Sequence, residues 1–435
     1  MKASNYNFFV PLDEDIDENY IAYNAKTGAL AIIDKKQYEG VIRFINAEAT
    51  IHDYELEEDL KYGGFIVGDH ENELDALRYN SQICRYHSSV MNLIIAPTFD
   101  CNFACIYCFE KDVIKSESKM SFEIQDKLVD FINKNAKGLT KLNVNWYGGE
   151  PLAAFDVITS LSARIIQLCA ENNIEYSSEM ITNGYMLNKD VLSRIKELCI
   201  SSIQITLDGT KEIHDARRPL KGGLPTFDTI VNNLRLCKDY LDYKVMLRIN
   251  IDKDNECEVS KINRLLEENG LHEVVLPYLG IVTNSNDCTP ESACYSVAEA
   301  SDLMLYYNTQ NQEISNKSFP KQKGNYCCAD RYADFVVAPD GKLYKCFNDI
   351  GIDKYAVGDL TNESYSNTSF EYSYMLYDPT KDKKCTACKL LPICMGGCPR
   401  KRILNEGERC IIEKYNFENY LKSVAKNMLA QEEVA

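Results

Sequence analysis

Eighteen cysteines stand in this 435-residue chain, and spacing sorts most of them into two groups suited to metal chemistry. The tighter group is Cys101-Asn-Phe-Ala-Cys105-Ile-Tyr-Cys108. Three thiolates so close on one loop can hold three irons of a four-iron, four-sulfur cluster, whose full complement is four. The remaining iron is then open to a substrate or cofactor, by the logic that separates catalytic metal sites from closed structural ones. The wider group is Cys327 or its neighbour Cys328, then Cys346, Cys385, Cys388, Cys394, Cys398 and Cys410. Cys-x2-Cys pairs also build zinc ribbons, so zinc competes for this second block. A structural zinc or a ferredoxin-like carrier competes for the first. Cys169, Cys199 and Cys237 lie beside Leu168, Leu198 and Leu236 on apolar helical faces and read as small core residues. Cys84 and Cys257 carry no signal.

The elements that must position these residues follow from periodicity. From Met91 to about Gly280, strand candidates at 92–96, 142–146, 178–181, 203–207, 245–251 and 274–278 alternate with amphipathic helices. One helix starts after Ser121, an N-cap, and buries Ile124, Leu128, Phe131 and Ile132; another runs from Glu258 to Asn269 and stops at Gly270. Such repeats predict a parallel sheet with right-handed crossovers, an open barrel or a doubly wound α/β fold. Chemistry in such sheets gathers at the carboxyl ends of the strands, and Cys101 directly follows the first strand.

Two other regions flank this one. The first ninety residues carry 17 acidic against 8 basic side chains. They read as a small α+β or winged-helix module, with β-segments either side of the Lys26-Thr27-Gly28 turn and apolar residues at helical spacing from Tyr38 to Ile45. A polar loop at 283–290 and a helical segment at 298–307 lead into the cysteine-dense remainder. There 335–344 is a hairpin on an Asp-Gly turn, and a last helix covers 417–429. The expected domains are 1–88, 89–310 and 311–435.

Net charge of −17 argues against a broad nucleic-acid footprint. No run of eighteen apolar residues spans a membrane, and the acidic start is not a signal peptide. The expectation is a cytoplasmic protein whose thiols stay reduced, with cysteines as ligands rather than disulfides.

The Cys-x3-Cys-x2-Cys triplet, with Tyr107 before its last cysteine, resembles the signature of radical S-adenosylmethionine (SAM) enzymes. Trp146-Tyr-Gly-Gly-Glu-Pro151, at the end of the second strand, is similar to the family's Gly-Gly-Glu-Pro motif. Thr182-Asn183-Gly184, Leu207-Asp208-Gly209 with His214-Asp215-Ala-Arg-Arg218, and Arg248 with Asn250 are similar to motifs on its later strand ends. The resemblance implies a partial (β/α)6 TIM barrel, with Cys101, Cys105 and Cys108 on a [4Fe-4S] cluster whose open iron is chelated by SAM. It implies SAM contacts from Tyr107, Gly148, Gly149, Glu150, Thr182, Asn183, Asp208 and Arg248; the glycines permit close backbone approach, and Glu150 can accept from the cofactor's ammonium group.

The second block resembles the SPASM extension of these enzymes over roughly 326–412. By that resemblance Cys385, Cys388, Cys394 and Cys410 hold an outer auxiliary [4Fe-4S] cluster. Cys346 and Cys398, with Cys327 or Cys328, hold an inner one, and Cys288 or Cys294 are further candidates for its fourth ligand. The nearby cations Lys381, Lys383, Lys384, Lys389, Arg400, Lys401 and Arg402 suit an anionic cluster, and equally a solvated loop. The N-terminal module, ending in Gly63-Gly-Phe-Ile-Val67, resembles the leader-recognition element of ribosomal-peptide (RiPP) maturases, in which a leader adds as a strand. The implied function is a maturase forming a cross-link in a precursor peptide, as a cysteine thioether, fed by an electron donor such as flavodoxin or ferredoxin. The alternatives are formylglycine formation of the anaerobic sulfatase-maturase type and a non-enzymatic iron-sulfur carrier. Those sulfatase maturases carry a carboxylate directly after the equivalent of Cys346; here Phe347 stands there, with Asp349 two further on.

Overall fold

A computed structural model describes the chain except residues 13–17, 49, 52, 109, 111–118, 284–292, 311–319, 326, 363–365 and 433–435. Cys288 and most of the 283–290 loop therefore lie outside the described residues. The chain divides into two compact units: Met1–Arg85 with Val297–Cys327 and Leu376–Ala435, and Tyr86–Ser296 with Cys328–Met375.

In the first unit, β1 (Lys2–Ala3) pairs antiparallel with β5 (Ile66–Val67). The strands β2 (Asn7–Pro11), β3 (Asn19–Asn24) and β4 (Leu30–Asp34) form an antiparallel sheet in that order. Helix α1 (Lys35–Ile45) begins with a capping box between Asp34 and Gln37, and α2 (Tyr54–Tyr62) is capped by Asp53. The α3 helix covers Glu73–Tyr86. Residues alternate between the faces of a strand, and here both faces of β3 are covered. Tyr20 and Ala22 pack with Val41, Leu60 and Phe65. Ile21 and Tyr23 pack with Leu391, Ile393, Cys394 and Phe417. The stretch that composition marks as separate thus shares a core with the cysteine-bearing segment, which its acidity and periodicity do not reveal.

In the second unit, β6 (Val90–Ile95), β7 (Lys141–Trp146), β8 (Glu175–Thr182), β9 (Ile200–Thr206), β10 (Val245–Ile251) and β11 (Val275–Ile281) are parallel neighbours in chain order. This is the expected strand set. Helices α4 (Phe122–Asn135), α5 (Phe155–Glu171), α6 (Lys189–Arg194), α7 (Lys211–Arg217), α8 (Phe227–Tyr240) and α9 (Ile262–Glu268) fall between the strands. Ser121 caps α4 as expected, through Ile124 N. The expected 258–269 helix is instead a 3-10 turn, Glu256–Lys261, running into α9.

The sheet does not stop at six strands. On its β6 edge it gains β12 (Phe335–Val337), parallel to β6, then β13 (Lys342–Tyr344) and β14 (Gly358–Asp359). The Asp-Gly hairpin extends the barrel sheet, because an exposed β6 edge offers unpaired backbone groups. Cys169 and Cys237 are buried on helices, whereas Cys199 is a half-buried turn residue at φ 54° leading into β9. The segment Pro151–Glu171 is long and apolar enough to cross a membrane, at a mean hydropathy of 1.4. It connects two parallel neighbours, β7 and β8, and buries Val157, Ile158, Leu161 and Ile165, so its apolarity is that of a core helix.

Candidate active site

The carboxyl ends of β6 to β10 assemble the site. The Cys101–Cys108 loop leaves β6, and the turn after β7 is pressed against its root. Gly149 N donates to Thr98 O and Glu150 N to Asp100 O. A Cβ on Gly149 would stand 2.4 Å from Asp100 O, and Gly148, at φ +107°, would place one 2.7 Å from Thr98 O. The close approach these glycines allow is therefore to the backbone leading into Cys101.

Glu150 is fully buried. Its carboxylate accepts from Thr182 Oγ1 at 2.6 Å, Asn183 N at 2.8 Å and Leu152 N at 3.0 Å. Burial raises its pKa against these three donors. Asn183 Nδ2 donates in turn to Asn102 Oδ1 at 2.7 Å. The turns after β7 and β8 are thus locked to each other and to the cysteine loop, and one acceptor position of Glu150 remains for a ligand.

A second network ties the loop to β9 and β10. Tyr107 donates to Asp208 Oδ2 at 2.5 Å, and accepts from Arg218 Nη1 at 2.6 Å and Asn250 Nδ2 at 3.1 Å. Arg217 bridges Asp208 and Asp252, reaching Asp252 Oδ2 at 2.6 Å. Asp215 Oδ1 accepts both N–H groups that open α8, Thr226 N and Phe227 N. His214 is completely buried and contacts no solvent. The backbone of 102–106 is railed by the segment after α7: Ile106 N to Arg217 O, Ala104 N to Pro219 O, and Lys221 N to Asn102 O. Asn255 Nδ2 donates to Asp208 O at 3.0 Å; Thr226, Asp252 and Asn255 carry no site signal in the sequence, since nothing in their spacing says that a helix and a loop fold over the cysteines. Arg248 on β10 donates to Asn250 Oδ1 at 2.7 Å and lies across Gly280, where a Cβ would meet its Nε at 2.4 Å.

The donor set fits a cluster and its cofactor. Burial pushes the Cys101 thiol up to about 12 and raises Cys105. Thiols in such a place ionise for a bound metal rather than for their protein surroundings. Among the described residues no three metal-ligating side chains converge as they would on a single ion; thiols around an iron-sulfur cage stand further apart. Among the described residues, the buried Asp208 Oδ1 and Arg218 Nε find no hydrogen-bond partner, one acceptor and one donor ready for a bound group.

Tyr147 marks a further neighbourhood of this unit. Burial holds its phenol well above its ordinary pKa, with Glu110, Cys108 and Cys346 adding to the rise and Arg248 opposing it. Its ring meets Phe347 edge-on, with centroids 5.6 Å apart. Among the described residues Glu110 Oε1 has no hydrogen-bond partner, and burial pushes its pKa up to about 7. A carboxylate two residues after a cysteine motif gives no warning of this in the sequence. Cys346 follows Lys345, whose buried Nζ donates to the carbonyls of Arg331, Tyr332 and Asp334. Cys328 opens a 3-10 turn, Cys328–Asp330.

In the first unit, Cys385, Cys388, Cys394 and Cys410 line one cavity of about 570 Å3 together with Lys383, Lys384, Lys401, Arg402, Arg409 and Lys414. Lys414 Nζ donates to Cys410 Sγ at 3.2 Å, and Arg409 Nη2 lies 3.8 Å from Cys385 Sγ. The expected outer-cluster set is brought together, ringed by cations. It rests on short helices, Lys383–Thr386, Leu391–Cys394 and Pro399–Leu404, in a segment whose sequence shows little helical periodicity. Cys398 donates its backbone N–H to Arg409 O, against which Gly397 is packed too closely for any Cβ. Of the inner-cluster candidates, Cys327 and Cys398 belong to the first unit, Cys328 and Cys346 to the second.

Residues 95–266 match the family model of the Radical SAM superfamily. The chain carries a radical SAM domain. It is 25% identical over 337 residues to the cysteine-type anaerobic sulfatase-maturating enzyme of Clostridium novyi (strain NT), covering 72% of this chain and 88% of that protein. Its fold is similar to native anSMEcpe with bound AdoMet, at a TM-score of 0.58 and 18% identity over 80% of this chain and 100% of that one. It is also similar to Streptococcus suis SuiB bound to precursor peptide SuiA, at a TM-score of 0.51 and 16% identity over 94% and 98% of the two chains.

Proposed function

We propose that this enzyme is a maturase of a ribosomal precursor peptide, abstracting hydrogen from the peptide and closing a cross-link, as a thioether from a cysteine sulfur to a carbon of the same peptide. The reading rests on one observation above others: a loop offering three thiols where a cluster takes four, in a chain that also gathers four cysteines around a separate cavity. The first arrangement leaves a coordination place for a cofactor and the second closes one.

In this reading Cys101, Cys105 and Cys108 hold the first [4Fe-4S] cluster, and Tyr107, Gly148, Gly149, Glu150, Thr182, Asn183, Asp208 and Arg248 build the SAM pocket. The bound SAM supplies a 5′-deoxyadenosyl radical, reactive enough to attack unactivated carbon. The protein's part is to hold the peptide beside it and keep water out. Cys385, Cys388, Cys394 and Cys410 hold the outer auxiliary cluster; Cys346 and Cys398, with Cys327 or Cys328, hold the inner one. Residues 1–88 receive the leader, 89–310 carry the chemistry and 311–435 carry the auxiliary clusters. Among the described residues no further strand pairs with the outer edges of the β2-β3-β4 sheet, which suits strand addition. The SuiB similarity supports a peptide substrate. A flavodoxin or ferredoxin is the expected electron donor, and the cytoplasm the expected compartment.

The similarity to the Clostridium novyi enzyme supports a second reading, conversion of a cysteine to formylglycine. Against it, the residue after Cys346 is Phe347. The nearby Asp349 is buried and accepts from Tyr374 OH at 3.1 Å, so it does not stand open to solvent.

The test uses anaerobically reconstituted enzyme, reductant, SAM and a short cysteine-containing precursor encoded beside its gene. A product two hydrogens lighter, with its thiol consumed and no carbonyl, supports the cross-link. A hydrazine-reactive aldehyde at the cysteine supports formylglycine instead.

A further inference from the structure

The hydrogen bonds around Asp208 close on themselves. Asp208 N donates to His214 Nδ1 at 3.2 Å, so that nitrogen carries no proton and the neutral ring must carry its proton on Nε2. Nε2 lies 3.1 Å from Thr226 Oγ1 and therefore donates to it. The Thr226 hydroxyl donates to Arg218 O at 2.8 Å. Arg218 Nη1 donates to Tyr107 OH, and Tyr107 returns to Asp208 Oδ2. Each polar group has one direction available, so the ring specifies a single arrangement. Phe227 adds an edge contact to the His214 ring at 5.8 Å, which holds the imidazole plane.

What the ring holds is a buried cation. The Arg218 guanidinium lies 5.7 Å from the Phe103 ring and bonds Tyr107, the two aromatics that bracket Cys105 in the chain. Burial leaves little water to screen its charge. A fixed positive charge beside a metal-thiolate group stabilises the more negative, reduced state.

We propose that Asp208, His214, Thr226, Arg218 and Tyr107 form a positioning ring that fixes the Arg218 guanidinium against Tyr107 and Phe103 of the cysteine-bearing loop and thereby raises the reduction potential of the cluster held by that loop. This rests on the reading of Cys101, Cys105 and Cys108 as cluster ligands. Tyr107 and Asp208 also belong to the proposed cofactor pocket and Arg218 Nε is a donor left for a bound group, so Thr226, outside that pocket, carries the deciding variants.

The test is a redox titration of the reconstituted full-length protein, following the electron paramagnetic resonance signal that changes on adding SAM, with iron content and Tm measured alongside. In R218Q the midpoint potential is expected to move to more negative values and 5′-deoxyadenosine formation to fall roughly 10- to 100-fold, the usual range for a residue supporting a metal ligand. T226V, which keeps the side-chain volume and breaks the ring, should shift the potential in the same direction by less. T226S, which restores the hydroxyl, should titrate like wild type. Wild-type potentials in both R218Q and T226V overturn the proposal, as does loss of iron by both, which would make the ring a folding device only. If R218Q alone loses iron, T226V and T226S decide. A wild-type signal that ignores SAM would remove the cluster reading and the ring with it.

Discussion

Asn183 gives its backbone N–H to the Glu150 carboxylate at 2.8 Å, joining the turns that follow two neighbouring strands. A carboxylate with three internal donors and no solvent exposure acts as a post for the site, beyond any single contact it makes with a ligand. Motifs separated in the chain become one wall because parallel register brings all strand ends to the same rim.

The tightest place on that wall is Gly149. G149A should displace the Asp100 carbonyl, which the new methyl would meet at 2.4 Å. Expected outcomes are loss of the first cluster, read as about four fewer irons per chain, and a stability loss of roughly 1–3 kcal/mol by denaturant titration.

His214 predicts a pH dependence. Burial, with Arg218 adding to it, holds its pKa well below the ordinary 6.5, so the folded state keeps the ring neutral while the unfolded chain protonates it. Its contribution is complete above pH 6.5 and is lost as pH falls through and below that value. The slope from this one group approaches about 1.4 kcal/mol per pH unit. H214Q should be less stable at pH 7 and lack that part of the slope; equal slopes in the two proteins would contradict the assignment.

Phe417 should couple two regions that look unrelated in the sequence. Its ring packs 4.9 Å from Phe8 and 5.7 Å from Tyr23, in the core that holds Leu391, Ile393 and Cys394. F417A is expected to cost about 3–5 kcal/mol and to lower iron bound at the outer cavity. For the same reason, deleting residues 1–88 would strip this core, so point changes on the edge strand β4 are the cleaner test of leader binding, read by titration calorimetry.

Lys345 is expected to be irreplaceable by an apolar residue of similar length. Its Nζ serves three carbonyls at 2.6 to 3.4 Å while burial pulls its pKa down to about 8. K345M leaves those carbonyls unpaired, at roughly 1–3 kcal/mol for a buried group left unsatisfied. Thermal denaturation should show the loss, and unchanged Tm would mean that water replaces the ammonium.

The placement of the motifs on the strand ends is legible in the chain before any fold. Cys101, Cys105 and Cys108 are local in sequence, and the loop that carries them leaves the carboxyl end of β6 as their spacing and the strand pattern predict. The six parallel strands were also legible, because a strand buried by its helices carries its own apolar signature. Even His214-Asp215-Ala-Arg-Arg218 stood out as a motif.

Its meaning did not. Which nitrogen of His214 bears the proton, and that Arg218 reaches back to Tyr107 across 111 residues, follow only from directional bonds between distant segments. So does the use of Gly149 against Asp100 backbone, and the shared core of β3 with Leu391 and Phe417. Composition and spacing register what a residue can do; which partner it meets depends on crossing geometry and packing, and those exist only once the chain has closed on itself.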